Sequence, residues 1–285
     1  MAVSAHLRTL RYAAWLGWQM ESNWTNPWLF ALYSIVKPVS ATLILVIMYL
    51  VIWNSVMDQP AIFSYMYVGT TFYMYVAQVL FGVVFVVQED REHYQTLKQV
   101  YIAPISFYLY LAGRAVPKLL ITTFAALITL AFGVLVLGLP IDLAAVDWPL
   151  LALAMAAGLF CIIMIGIALA GITMLTARHS MGINEGIAGA FYLFCGVTFP
   201  ITFLPGWAQS IGQAIPITYW LEVVRRAVLP EEMRWDSGLQ GYATGDIILM
   251  LLATSLFFFL LSLAIFRYAD HLARKQGKLD MSTSY

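Results

Sequence analysis

The chain has 285 residues, of which 62% are hydrophobic and 11% charged, and its formal net charge is zero. Soluble domains carry about 25% charged residues, so there is too little polar surface here to cover a water-soluble globule. The neutral balance excludes a global basic field for nucleic acid. Cys161 and Cys195 both lie inside apolar runs and build neither a disulfide framework nor a zinc site.

In chain order, segment 4–24 comes first. It mixes Arg8, Arg11, Gln19 and Glu21 with Leu7, Leu10, Ala14 and Trp18, which share one face at helical spacing. It is too polar to span and predicts an amphipathic helix lying in the cytoplasmic interface. No short apolar core with a small-residue cleavage site follows, so it does not read as a signal peptide. Asn26-Pro27 then breaks the chain.

Long uncharged runs, extended at their ends, predict membrane spans at about 29–54, 61–88, 106–138, 148–177, 181–202 and 245–268. Each is long enough for the roughly 20 residues a crossing helix needs. They lack the short alternation of barrel strands, so helices satisfy the backbone. The run 186–221 is too long for one crossing: as one helix it would reach about 54 Å at 1.5 Å per residue, against a core of roughly 30 Å. Pro200, Pro205 and Pro216 interrupt it. One crossing to about 202 is expected, then re-entrant helices over 203–228, at about 206–214 and 217–228. The predicted fold is an all-α integral membrane protein with six transmembrane helices, an N-terminal interface helix and outer re-entrant helices, in a single domain over 1–285.

Orientation follows the Lys/Arg bias. Arg8, Arg11, Arg91, Lys98, Arg178, Arg267, Arg274, Lys275 and Lys278 fall on one side. The short loops at 54–60 and 138–147 on the other side hold none. The basic side reads as cytoplasmic, with both termini inside. Trp53, Trp148, Trp207, Trp220 and Trp235 fall near the predicted outer boundary, as an interfacial belt does.

Between spans two and three, residues 89–103 carry the densest charge of the chain. Tyr94, Leu97 and Tyr101 recur at helical spacing, and Pro104 ends the element. A short charged amphipathic helix suits docking into a soluble partner; a solvated hairpin in the headgroups is the bland alternative. Span two is rich in aromatics. Tyr73 and Tyr75 lie too deep for a belt, about 20 Å in. With Phe72 they either line a cavity or pack between helices, their phenols wanting partners. Arg114 and Glu185 are membrane-embedded ionisable residues, as are Lys37 and Lys118, and an Arg114–Glu185 ion pair is expected because each is costly alone. Gly182-x-x-x-Gly186 with Gly189 allows close helix approach. The stretch from Glu222 to Asp246 reads as an outer lid with no assignable chemistry.

Clustered catalytic groups are missing: His6, His93, His179 and His271 are scattered, and no His-Glu-x-x-His exists. An ion-coupled carrier or channel is the main rival transporter. It would place charges or broken helices near the midplane, where this chain is nearly charge-free.

Glu89-x-x-Glu92-His93-x-x-Thr96-Leu97, followed by Ala103-Pro104-Ile105-Ser106, resembles the loop of ABC type-2 permeases, although Tyr94 stands where many members have Gly. Gly196-Val197-Thr198-Phe199-Pro200, Leu204-Pro205 and Ile215-Pro216-Ile217-Thr218-Tyr219, with Leu221-Glu222-Val223-Val224-Arg225, are similar to that family's signature after its fifth span. The resemblance implies a permease subunit of an exporter, paired with an identical or sister permease over two ABC ATPase subunits. Glu89, Asp90, Arg91, Glu92 and His93 would be the polar contacts of a coupling helix, and Thr96 and Leu97 its packing contacts. Phe72, Tyr73, Tyr75, Phe199 and Pro200 become candidates for the transport path. Gly182, Gly186 and Gly189 would lie at the permease seam, a tight contact within one subunit being the alternative. No Gly-x-x-x-x-Gly-Lys-Ser/Thr is present to cradle ATP, so ATP and Mg are expected in the partner, no cofactor in this chain, and the plasma (inner) membrane of a bacterium or archaeon as its place.

Overall fold

The computed structural model describes residues 2–22, 60–142, 144–176, 180–235 and 237–276, with scattered positions between 26 and 51. The predicted first span, Lys37, Arg178 and the segment after 276 therefore lie wholly or mostly outside the described residues. Among the described residues the chain is helical and contains no strand.

Among the described residues the main helices are α1 (Ala2–Ser22), α2 (Pro60–His93), α3 (Leu97–Ile102), α4 (Phe107–Leu135), α5 (Trp148–Leu175), α6 (Ser180–Phe194), α7 (Gly206–Ala214), α8 (Pro216–Val228) and α9 (Thr244–Lys275). Four of them, α2, α4, α5 and α9, are long and apolar enough to cross a membrane. α2 is the hub. It is far more buried than the other three, and its Val68, Val76, Val79, Leu80, Val83 and Val84 are fully buried. α5 packs against α2, α8 and α9, while α1 runs along α4.

Local sequence sets the element ends. Asp147 caps α5, its Oδ1 accepting the Leu150 N–H at 3.0 Å, and Pro149 sits in the first turn where no donor is lost. Pro216 opens α8 in the same way. α6 stops at Phe194, and Gly196, at φ +68°, turns the chain; that left-handed backbone suits a residue without Cβ. Among the described residues the fifth element is thus a helix over 180–194, about 22 Å at helical rise, which ends eight residues before the expected limit of 202. Pro200 then leads into a 3₁₀ turn, Ile201–Phe203. α7 and α8 fall where short helices are expected after the break.

Two expectations change in detail. The segment 89–103 is not one helix. Glu89–His93 continues α2 as a wide π turn, Gln95 adopts φ +53°, and only Leu97–Ile102 is a separate helix. α1 forms as expected but uses a different face. It buries the small residues Ala13 and Gly17 against α4, with Gly17 lying on Pro117 and Arg114. Leu7 and Trp18 stay 63% and 40% exposed. Close approach of two helices selects the small side of α1, and its large apolar side is left outward.

Candidate coupling site and transport path

At the end of α2 bearing α3, a stripe of α4 gathers charge. Tyr110, Arg114 and Lys118 recur every four residues and so share one face. Arg114 is 1% exposed; its Nη1 donates to Asp90 Oδ1 at 3.4 Å and its Nη2 to Glu89 Oε2 at 3.3 Å. Tyr110 donates its hydroxyl to Asp90 Oδ2 at 2.7 Å and accepts from Arg114 Nη1 at 3.2 Å. One turn on, Lys118 pairs with Glu21 of α1. The network locks α1, α2 and α4 into one unit. The expected Arg114–Glu185 pair is not what forms. The Arg114 stripe faces α2 and α1, where two carboxylates already meet the guanidinium, and Glu185 is exposed on α6.

The acidic turn therefore has two sides. Asp90 and Arg91 are buried, and Arg91 Nε pairs with Glu92 Oε1 at 3.0 Å. They belong to the floor rather than to an exposed contact surface, which corrects the expectation for both. Leu97 is 2% exposed and packs inward, while the half-buried Thr96 donates its backbone N–H to the Asp90 carbonyl at 2.8 Å. What faces outward is His93, Tyr94, Gln95, Lys98, Gln99 and Ile102, the last 84% exposed. Burial and the neighbouring Glu89 carboxylate hold the Tyr94 phenol above its ordinary pKa.

α3 is pinned from the side by α9. Tyr101 donates its hydroxyl to Asp270 Oδ1 at 2.9 Å. Arg274 reaches both Asp270 oxygens at 3.2 Å and lies 4.9 Å over the Tyr101 ring. Burial first, then the Asp270 charge, push the Tyr101 phenol well up, so it stays a proton donor in this bond. Nothing local in the sequence marks this pair, because its members are 169 positions apart.

The tyrosines of α2 all find partners. Tyr67 donates to the Thr129 carbonyl at 2.6 Å, Tyr73 to the Ala188 carbonyl at 2.8 Å and Tyr75 to Thr123 Oγ1 at 3.1 Å. Tyr73 thus faces α6 and Tyr75 faces α4; the two do not converge on one surface. Phe72 and Tyr75 border an apolar cavity of about 460 Å³ between α4 and α5. Phe199 is half-buried and Pro200 buried, beyond the end of α6. Gly182, Gly186 and Gly189 have no described atom within 4 Å of where a Cβ would stand. Among the described residues they make no tight contact within the subunit.

At the far end, Arg225 of α8 closes a clasp that sequence reading placed in a motif without a role. It is 4% exposed. Its Nε donates to the Tyr65 carbonyl at 3.3 Å, and its Nη2 to the carbonyls of Gly196 and Val197 at 2.7 and 2.9 Å. The guanidinium also lies 3.5 Å over the Tyr65 ring. A Cβ at Gly69 would overlap Arg225 and the Val197 carbonyl. Nearby, Arg226 pairs with Glu222 at 2.9 Å and donates to the carbonyls of Leu239 and Tyr242. Arg234 donates to the carbonyls of Leu229 and Arg226. The stretch expected to be an outer lid without assignable chemistry is tied down by these arginines. Trp220, expected in the boundary belt, is 1% exposed and stacked on Gly158, whereas Trp148 and Trp207 are 56% and 66% exposed.

Residues 14–229 match the ABC-2 type transporter family. That is well over half of the chain. The chain belongs to the ABC-2 type transporter family. It is also similar to the probable multidrug ABC transporter permease YbhR of Escherichia coli strain K12, at 26% identity over 160 residues, covering 53% of this chain and 40% of YbhR. YbhR of E. coli O157:H7 matches equally. The chain thus spans well under two thirds of the curated relatives it matches. The ABC-2 region begins inside α1 and ends one residue past α8. It encloses the α1–α2–α4 ionic network, α3 and the Arg225 clasp, while the Asp270 pin on α9 lies outside it. Together with the long apolar helices, membership marks a multi-pass membrane protein, a transporter membrane subunit.

Proposed function

We propose that this chain is the permease of an ATP-driven exporter that moves an amphipathic, lipidic or glycan cargo out of the cytoplasm. Two separate ATPase subunits, carrying ATP and Mg, would dock against α3, and a second permease copy would complete the membrane part. Both termini and α3 would face the cytoplasm, six helices would cross the inner membrane, and α7 and α8 would re-enter from the outside. The name of the YbhR relative, a probable multidrug permease, favours an amphipathic cargo.

One observation carries the docking role: a short exposed helix stands on a rigid buried floor. A docking helix must pass force on, and α3 is tied to α2 through Thr96 and Asp90 and to α9 through Tyr101 and Asp270. A solvated hairpin needs no such anchorage. The outward face of α3, with the exposed Ile102 at its end and Lys98 and Gln99 beside it, offers an apolar anchor and polar groups to a protein interface.

The test is purification from native membranes in mild detergent, comparing wild type with Ile102→Asp. Ile102 is exposed, so the substitution leaves folding intact. An ATPase subunit should accompany wild type and be lost from the variant. Equal capture by both, or no ATPase with either while the permease assembly stays intact, removes the docking role.

A further inference from the structure

The cavity between α4 and α5 is not used by the reading above. Its walls are Leu127, Leu130 and Val134 of α4 and Leu151 and Met155 of α5, with Phe72 of α2 at the back. Its polar groups are already engaged: Tyr75 donates to Thr123, and Thr123 donates to the Leu119 carbonyl at 2.8 Å. Both hydroxyl protons are thus engaged, and with the rest of the lining apolar the interior suits hydrocarbon. The exposed Trp148 stands at its edge, an amphipathic ring of the kind that settles at headgroup level.

The chemistry of the rim is one-sided. Asp142 and Asp147 flank the lining residues Ile141, Val146 and Trp148 and are both exposed. Each carboxylate accepts one backbone N–H through Oδ1, from Ala144 and Leu150. The basic residues at this end, Arg225, Arg226 and Arg234, are turned to backbone carbonyls and to Glu222 and Glu231. Among the described residues an anionic headgroup would meet two carboxylates and no available cation; an ammonium would be welcomed.

Resting on the membrane placement proposed above, we propose that this cavity holds one acyl chain of a resident zwitterionic, amine-headgroup phospholipid, with its ammonium at Asp142 and Asp147. The chain fills the wedge where α4 and α5 diverge and braces Phe72 and Tyr75 of α2 from the lipid side.

The experiment uses the whole chain in nanodiscs made from phosphatidylglycerol, doped with brominated-chain phosphatidylethanolamine or brominated-chain phosphatidylglycerol. The Trp148 signal is the difference between wild type and Trp148→Phe. It should be quenched about threefold more effectively by the brominated ethanolamine lipid, the preference a solvent-exposed charge pair supports. Ala131→Phe, at the exposed edge of the cavity, should abolish the preference while the melting midpoint holds. Asp142→Asn with Asp147→Asn should equalise the two lipids. Equal quenching by both lipids in wild type, or an unchanged preference in Ala131→Phe, overturns the site. A bound mass heavier than a phospholipid in protein from native membranes, with no preference in nanodiscs, assigns the cavity to a cargo tail instead. No ATPase is needed, so failure here is separate from failure of the exporter reading.

Discussion

At the residue scale, two guanidinium groups hold opposite ends of the bundle by different means. Arg114 is matched by carboxylates, and removing one member of such a buried set leaves a charge without its partner, which costs about 3–5 kcal/mol. A double-mutant cycle of Arg114→Met with Asp90→Asn, read by thermal unfolding in detergent, should show a coupling of at least about 1 kcal/mol between contacting residues. The same cycle with Glu185→Gln should show none, because Glu185 is exposed on another helix. Reversal of those two results would restore the pairing expected from the sequence. Arg225 is matched instead by carbonyls, and three such bonds from a forked group are not reproduced by an ammonium. Arg225→Lys should lower stability by about 2 kcal/mol, a loss of charged hydrogen bonds. A thiol-reactive dye checks it, since the buried Cys161 and Cys195 become reactive only on unfolding. Arg114 was legible as an embedded charge needing a partner. Its true partner was not, because periodicity says which residues share a face and nothing about which helix that face meets.

At the element scale, the sequence was most informative where length and hydropathy speak alone. α2, α4, α5 and α9 fall on the runs expected to span, and the prolines at 205 and 216 mark the starts of α7 and α8. It was least informative in the turn after α2. Tyr94, Leu97 and Tyr101 share a helical spacing that predicts one element over 89–103, yet the backbone changes from a π turn to φ +53° at Gln95 and then to α3. Side-chain spacing does not report a single left-handed residue. That residue is strained for a side chain with Cβ and worse for a β-branched one. Gln95→Gly should therefore retain or slightly raise stability, while Gln95→Val should displace α3 from its seat. The readout is the Tyr101–Asp270 pin, followed by protease accessibility of the 94–104 segment. Faster cleavage is expected in Gln95→Val alone. Equal cleavage in wild type and Gln95→Val would mean that the pin, not the turn, fixes α3.

At the scale of the whole molecule, α2 is enclosed while α6 is nearly bare on one side. Gly182, Gly186 and Gly189, spaced by four and three residues, share that side with the exposed Ile183, Glu185 and Leu193. In lipid there is no hydrophobic gain from covering such a face; close backbone packing is what drives helices together, and small residues permit it. The stripe is therefore of use only if another helix comes within a glycine's reach, and among the described residues of the chain none does. A second copy of the permease is the proposed occupant. Gly186→Leu should then shift the detergent-solubilised protein from dimer to monomer in native mass spectrometry while the monomer's unfolding free energy stays within about 0.5 kcal/mol of wild type, the range of substitutions that touch nothing. The stability readout separates the two accounts. An intact dimer with a lowered midpoint would place the stripe against another helix of the same chain, and the symmetric exporter would then need a different seam.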